Sequence, residues 1–346
     1  MVPVDTMLRP DLVAAGDAAA ELAAAGFDGA FTAEGSNDPF LPLALAARDA
    51  PIDVYTNLAI AFPRNPLHLA YQSFDLQRLS QGRFALGLGT QIRAHIERRF
   101  GVAWDRPVRQ MEELIRAVRA IFDRWQHGTE LSFEGEYYHH TMMPPTFDPG
   151  PLDVGPPPVL VGAVGPAMTR MAARTADGLL VHPMNSRPFL ESHTLPLVAE
   201  GRAAAELEGS DFRIVCGALV GPYRDEPEQK RITGGLRQLL GFYGSTPAYR
   251  PVLEQHGWGE MQPVLREMTK HGRWQDTASL IDDEVLATLA VVGEPDEVAD
   301  ELHRRYDGIV DRLALFGSGD LAALGEVLER YRGGVSSARE PGLEHG

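Results

Sequence analysis

Between Thr56 and Gln91 the chain reads TNLAIAFPRNPLHLAYQSFDLQRLSQGRFALGLGTQ, and this stretch limits the fold more than any other. Pro51 precedes a run over residues 52–58 that is rich in β-branched and aromatic side chains, which suits a strand. Pro63 and Pro66 mark the loop after it. Pro66 fits the first turn of a helix, where its missing N–H has no intrahelical partner anyway. Leu69, Ala70, Phe74, Leu76 and Leu79 then recur at helical period, and Gly82 stops the helix. Residues 83–89 (RFALGLG) form a second strand nearly free of polar side chains, the pattern of a strand covered on both faces in a parallel sheet. The stretch is one βαβ unit, so the chain commits to a parallel sheet early.

The remaining sequence repeats that rhythm. Residues 2–7 read as a first strand, an Ala-rich helix runs from Pro10 to Ala25, and residues 27–33 form a strand that ends at Glu34. Asp38-Pro39 supplies a cap and an N-terminal proline for the next helix. A long helix over 107–125 carries Val108, Met111, Leu114, Ile115, Val118 and Ile121 on one side. A surface hairpin over 131–142 and a proline-dense connector follow. Strands are expected at 159–161, 178–181, 212–220 and 312–316, with helices at 166–175, 188–207 and 295–306; residues 286–292 form a further apolar run. Residues 225–283 break the pattern and read as an inserted helical subdomain. Eight strands alternating with helices point to a (β/α)8 TIM barrel over residues 1–332, with 333–346 as a flexible tail. An open Rossmann sheet is the competitor, but Gly87-Leu88-Gly89 lacks the third glycine of a dinucleotide fingerprint.

Charge narrows the partners. A net charge of −16 argues against nucleic acid, whose binding depends on neutralising phosphates. No apolar run approaches a membrane span, and the first residues lack a basic segment followed by an apolar core, so a cytoplasmic protein is expected. The single cysteine, Cys216, sits among Ile214, Val215, Ala218 and Leu219 and reads as a buried structural thiol. There is no H-x-H or H-E-x-x-H, and no metal site is expected.

Thr56-Asn57-Leu58, Arg64-Asn65-Pro66, the run from Asp75 to Arg83 (DLQRLSQGR) and Leu86-Gly87-Leu88-Gly89-Thr90 carry a family likeness. With further matches toward both ends, the chain resembles the luciferase-like flavin and deazaflavin oxidoreductases, in particular the actinobacterial branch that uses coenzyme F420. The resemblance implies the bacterial-luciferase type of barrel. It also implies a homodimer built through the helices beside the early strands.

In a barrel, chemistry gathers where strands end, and the residues delivered there are the candidates. Val161-Gly162-Ala163-Val164-Gly165-Pro166 is a strand end, a small-residue turn and a helix start. Small residues admit a ligand close to the backbone, and free N–H groups favour an anion; a tight loop that binds nothing fits the spacing equally well. The resemblance places the cofactor phosphate on the amides of Gly162, Ala163, Val164 and Gly165. It also implies a cis peptide at Asn57-Leu58, backing the deazaflavin ring, and a contact between Glu34 and the hydroxylated ring edge. Read without the resemblance, Glu34 is a capping or salt-bridging carboxylate, and Asn57 caps the loop after an ordinary trans strand end. Thr90 and Arg93 are further cofactor candidates, Arg93 for the anionic tail, although Arg93, His95, Arg98 and Arg99 also suit a solvated helix face.

His182, after the strand at 178–181, is the candidate for handling protons because histidine titrates near neutral pH, although a histidine packed at a strand end fits the sequence at least as well. Several members of the resembled family place a catalytic histidine directly after the acidic residue, where this chain has Gly35. Ile92 stands where sugar-phosphate-oxidising members carry a glutamate, which argues against that substrate class. Trp104, Trp258, Trp274 and Tyr243 are candidates for lining a substrate cavity or for packing. The expected activity is F420-dependent hydride transfer between C5 of the deazaflavin and a small organic substrate, with Glu34 and His182 as catalytic candidates. An FMN-dependent monooxygenase and a non-catalytic F420-binding protein are the alternatives.

Overall fold

The computed structural model describes residues 1–9, 11–317 and 319–334. Eight parallel strands close on themselves: β1 (Val4–Met7), β2 (Gly29–Thr32), β3 (Asp53–Thr56), β4 (Phe84–Gly89), β5 (Val159–Gly162), β6 (Gly178–Val181), β7 (Arg213–Pro222) and β8 (Arg312–Gly317). Each pairs with its neighbour in sequence, and β8 pairs back with β1, which leaves the eight-strand ring without an open edge. The expected barrel is therefore present. A short strand, Ala59–Ile60, continues past β3 and pairs with Leu88 and Gly89 of β4.

Local chemistry accounts for the elements. The helix Pro66–Leu79 begins with Asn65 accepting the Leu67 N–H at 2.8 Å, and Gly82 leaves it with a φ of 91°, which a side chain would resist. Strand residues alternate as period two demands. Leu160 and Leu180 join Phe31, Tyr55, Val215 and Ala314 inside the barrel, while Val159, Val161, Leu179 and Val181 face the helices.

The N-terminal end of the barrel is closed by charge. Arg312 bonds both carboxylate oxygens of the fully buried Asp5 and reaches Asp53 at 2.7 Å, and the Tyr55 hydroxyl donates to Asp5 at 2.8 Å. Strands β1, β3 and β8 are thereby tied together at the end opposite the ligand-binding face of such barrels.

Several boundaries differ from expectation. The first helix covers Ala15–Ala24, beginning well after Pro10, which lies outside the described residues. The region expected as one helix over 188–207 is three pieces, with a π-helical Leu190–Thr194 between Arg187–Phe189 and Leu195–Ala203. The apolar run at 286–292 divides into the helix Asp283–Leu289, capped by Asp282 at the Val285 N–H, and a strand Val291–Gly293 beside β7. The expected insertion contains the helices Glu226–Gly244, Arg250–Gln255 and Met261–Lys270. Their buried faces (Ile232, Leu236, Leu240, Val252 and Leu253) pack with Leu219 of β7 and Met184, so this apolar cluster is shared with the barrel. The last helix reaches Gly333; of the tail, residues 335–346 lie outside the described residues.

Candidate active site

The site is built at the C-terminal ends of the strands. Next to β3 the Thr56 hydroxyl donates to the Gly87 carbonyl at 2.7 Å and accepts the Gly87 N–H at 2.9 Å. The Asn57–Leu58 peptide is cis, as the family resemblance implied. Asn57 N–H donates to Thr32, and the Leu58 carbonyl accepts the Glu34 N–H at 3.1 Å. The Leu58 side chain lies against two glycines. A Cβ on Gly89 would sit 2.5 Å from both Leu58 methyls, and one on Gly162 would sit 2.4 Å from Cδ2. Glycine at both positions is what lets this leucine lie flat between β4 and β5.

Glu34 holds the same segment from the other side. Its Oε2 accepts the Ile60 N–H at 2.7 Å and pairs with Arg64 at 2.6 Å; the two side chains are 7% and 16% exposed. Arg64 also donates to the Ile60 carbonyl at 2.7 Å. The contacts of Glu34 thus run to the chain that leaves Leu58. Gly35 beside it is open, for a side chain there would meet nothing within 4 Å, so no titratable group follows the glutamate.

Beyond β5 the turn Gly162–Gly165 leads into the helix Pro166–Thr175. Among the described residues, the amides of Ala163, Val164 and Gly165 donate to no backbone carbonyl. Pro166 has no N–H, and the next amides of a helix point out of its start by geometry. This turn opens onto a hollow of about 270 Å³ that Thr169, His182, Asn185 and Tyr249 also line. The unpaired amides of Ala163, Val164 and Gly165 beside a helix start suit a phosphate, whereas Gly162 ends β5 against Leu58 and does not line the hollow.

His182 follows β6 inside an aromatic cage. Tyr249 stacks on it at a centroid distance of 4.4 Å, and Tyr243 meets it edge-on at 4.6 Å. Its Nδ1 accepts the Met184 N–H at 3.1 Å, which fixes the proton on Nε2 in the neutral ring. Burial pushes its pKa down to about 3. The sequence expectation of a group titrating near neutrality is corrected here, because the two tyrosine rings displace much of the water that would solvate an imidazolium. The neutral His182 ring carries the proton on Nε2. Burial raises the pKa of both tyrosines, which keeps their hydroxyls protonated. Tyr249 carried no signal in the sequence beyond being aromatic in a proline-punctuated segment.

Other candidates are placed as follows. Thr90 is half-buried and its hydroxyl turns to the Gln91 carbonyl at 3.1 Å. Arg93 is exposed, and its Nε pairs with Glu97 one helical turn on at 2.8 Å. Arg99 instead reaches back to the Gly35 carbonyl at 2.6 Å. Trp104 packs edge-on to Phe62, Trp258 stacks on His256, and Trp274 lies beside Phe242. Cys216 is buried, and burial pushes its thiol pKa up, as a structural thiol should be. Among the described residues no three His, Cys, Asp or Glu side chains group to hold a metal, and no helix is long and apolar enough to cross a membrane.

Comparison with known proteins fits this architecture. The model of the luciferase-like monooxygenase family matches residues 3–312. An uncharacterized protein of Mycobacterium tuberculosis is 45% identical, over 95% of this chain and 97% of that one. The 5,10-methylenetetrahydromethanopterin reductase of Archaeoglobus fulgidus is 26% identical over 69% of this chain and 70% of its own. The fold is that of the coenzyme F420-dependent tetrahydromethanopterin reductase from Methanopyrus kandleri, at a TM-score of 0.78 and 21% identity, covering 95% and 99% of the two chains.

Proposed function

Since the chain belongs to the luciferase-like monooxygenase family, we propose that it is an oxidoreductase that uses coenzyme F420 to exchange a hydride with a small organic substrate. The observation that carries this reading is the turn after Gly162, where the free amides of Ala163, Val164 and Gly165 share one hollow with His182. A phosphate held on those amides would leave the rest of the cofactor to run toward Leu58, which supports one side of a flat ring. When bound, the deazaflavin supplies or accepts the hydride at C5, as the redox-active partner of the substrate.

The chain's own residues do the rest. Glu34 and Arg64 fix the segment that carries Leu58, so both act as positioning residues. His182 offers Nε2–H to the substrate oxygen, a neutral donor in a water-poor cage, which stabilises negative charge developing on that oxygen. Tyr243 and Tyr249 hold the imidazole in place and keep it neutral. In the direction of reduction, Nε2–H stays on the ring as a hydrogen-bond donor, and the alkoxide takes its proton from solvent as the product leaves.

Titration of the purified protein with F420 and separately with FMN, read by fluorescence and calorimetry, tests the reading. F420 affinity well above FMN affinity is the expected result. The reverse order would move the protein to the flavin monooxygenases, and F420 binding without turnover across a carbonyl and alcohol panel would make it a carrier. Binding of neither would leave the turn as a simple connection.

A further inference from the structure

A second and larger hollow, about 810 Å³, lies on the other side of the barrel mouth. Its walls come from the end of β1 (Thr6 to Leu8), the end of β8 (Phe316 and Gly317), the helix Ala15–Ala24 and the inserted helix Glu226–Gly244. The walls are mainly apolar: Leu8, Leu22, Leu236, Leu239, Phe316 and Leu324. Among the described residues the rim carries Asp11, Asp17 and Glu21 and one cation, Arg9. Leu12 and Val13, between the lining residues Asp11 and Ala14, are exposed.

Tyr243 joins the two halves of the mouth. It lines this hollow, and its ring edge also rests against His182, which lines the phosphate-side hollow. Phe316 likewise lines the hollow while its ring packs on Phe31 in the barrel interior, 4.8 Å between centroids. A molecule seated against Leu236, Leu239 and Phe316 therefore has one end at Tyr243, next to the only side chain argued above to donate to a substrate oxygen.

We propose that this hollow is the substrate site, and that its substrate is an uncharged carbonyl compound on a mainly hydrocarbon body. The inference rests on the F420 reading for the chemistry but not for the binding. Apolar walls reward burial of hydrocarbon at about 25 cal/mol per Å² and offer few polar groups to pair. An acidic rim on a protein of net charge −16 repels carboxylates and phosphates during approach and in the bound state. Phosphorylated and polycarboxylated substrates are thereby disfavoured, and the protonated Tyr243 hydroxyl meets a carbonyl oxygen better than it meets a cation.

The test is direct binding of two probes of equal chain length, 2-undecanone and undecanoate, to the cofactor-free protein by calorimetry. The expected result is that the ketone binds at least tenfold more tightly. Leu239→Trp, which fills the hollow from a half-buried position, should weaken the ketone at least tenfold. Reversing the exposed rim in an Asp17→Lys/Glu21→Lys variant should tighten undecanoate at least tenfold and leave the ketone within about threefold. Equal affinity for both probes in the native protein, or ketone binding that ignores Leu239→Trp, would overturn the proposal. F420 titration of the same samples separates the two readings: loss of F420 binding alone refutes the cofactor assignment, whereas the probe affinities report on this hollow alone.

Discussion

Glu34 and Arg64 give the sharpest quantitative expectation. Their carboxylate and guanidinium are 2.6 Å apart, largely screened from water, and both also bond Ile60, one through its N–H and one through its carbonyl. Glu34→Gln keeps an acceptor for the Ile60 N–H and removes only the charge, so it should cost about 1.5–3 kcal/mol, the worth of a hydrogen bond to a charged group. Arg64→Met leaves a mostly buried carboxylate with a single donor, and about 2–3 kcal/mol is expected, below the full cost of stranding a wholly buried ion. If the two act as a pair, the double variant loses less than the sum, by about 1–2 kcal/mol. Urea unfolding of the four proteins measures that coupling. The same four titrated with F420 should lose affinity in parallel, because both residues act through the position of Leu58. Additivity within about 0.5 kcal/mol would refute the pairing. Loss of F420 affinity in Glu34→Gln but not in Arg64→Met would refute the positioning role and return Glu34 to direct contact with the cofactor.

Four further outcomes are expected. The His182 pKa falls from 6.5 to about 3 on folding, so between those values the unfolded chain binds the extra proton. Its contribution to stability is complete above pH 6.5 and is lost as pH falls toward 3. Native protein should therefore lose about 2 kcal/mol more than His182→Gln between pH 7 and pH 5, as measured by urea unfolding at each pH, and equal losses would mean a solvated imidazole. The same variant should lower turnover about a hundredfold with little change in F420 affinity, and an unchanged rate would remove the donor role. Arg312→Met strands Asp5 at the closed end of the barrel and should cost about 3–5 kcal/mol in chemical denaturation, while a loss under 1 kcal/mol would show Asp5 to be protonated or hydrated. Gly162→Ala drives a methyl to within 2.4 Å of Leu58, so F420 affinity should drop at least tenfold for an overpacking cost of about 1–3 kcal/mol; unchanged affinity would show that Leu58 moves freely.

Periodicity, prolines and glycines made the barrel legible. Each strand and helix announces itself through contacts a few residues apart, as with Asn65, Pro66 and Gly82 around one helix. Boundaries were less legible where neighbours override propensity. Residues 190–194 became π-helical inside a run that reads as one ordinary helix, and an apolar run at 286–292 divided because Asp282 caps a turn.

The sequence by itself determined the closed parallel barrel, the strand-end location of the candidate residues, the small-residue turn at Gly162–Gly165 and, through family resemblance, the cis peptide at Asn57–Leu58. Tertiary structure alone decided what those residues are. It paired Glu34 with Arg64, 30 residues away in sequence. It set His182 against Tyr243 and Tyr249, both from the insertion, and so keeps neutral an imidazole that would otherwise titrate near neutrality. The reason is physical: a backbone pattern is set by near neighbours, whereas a side chain's charge and hydrogen-bonding role are set by desolvation and by partners distant in sequence.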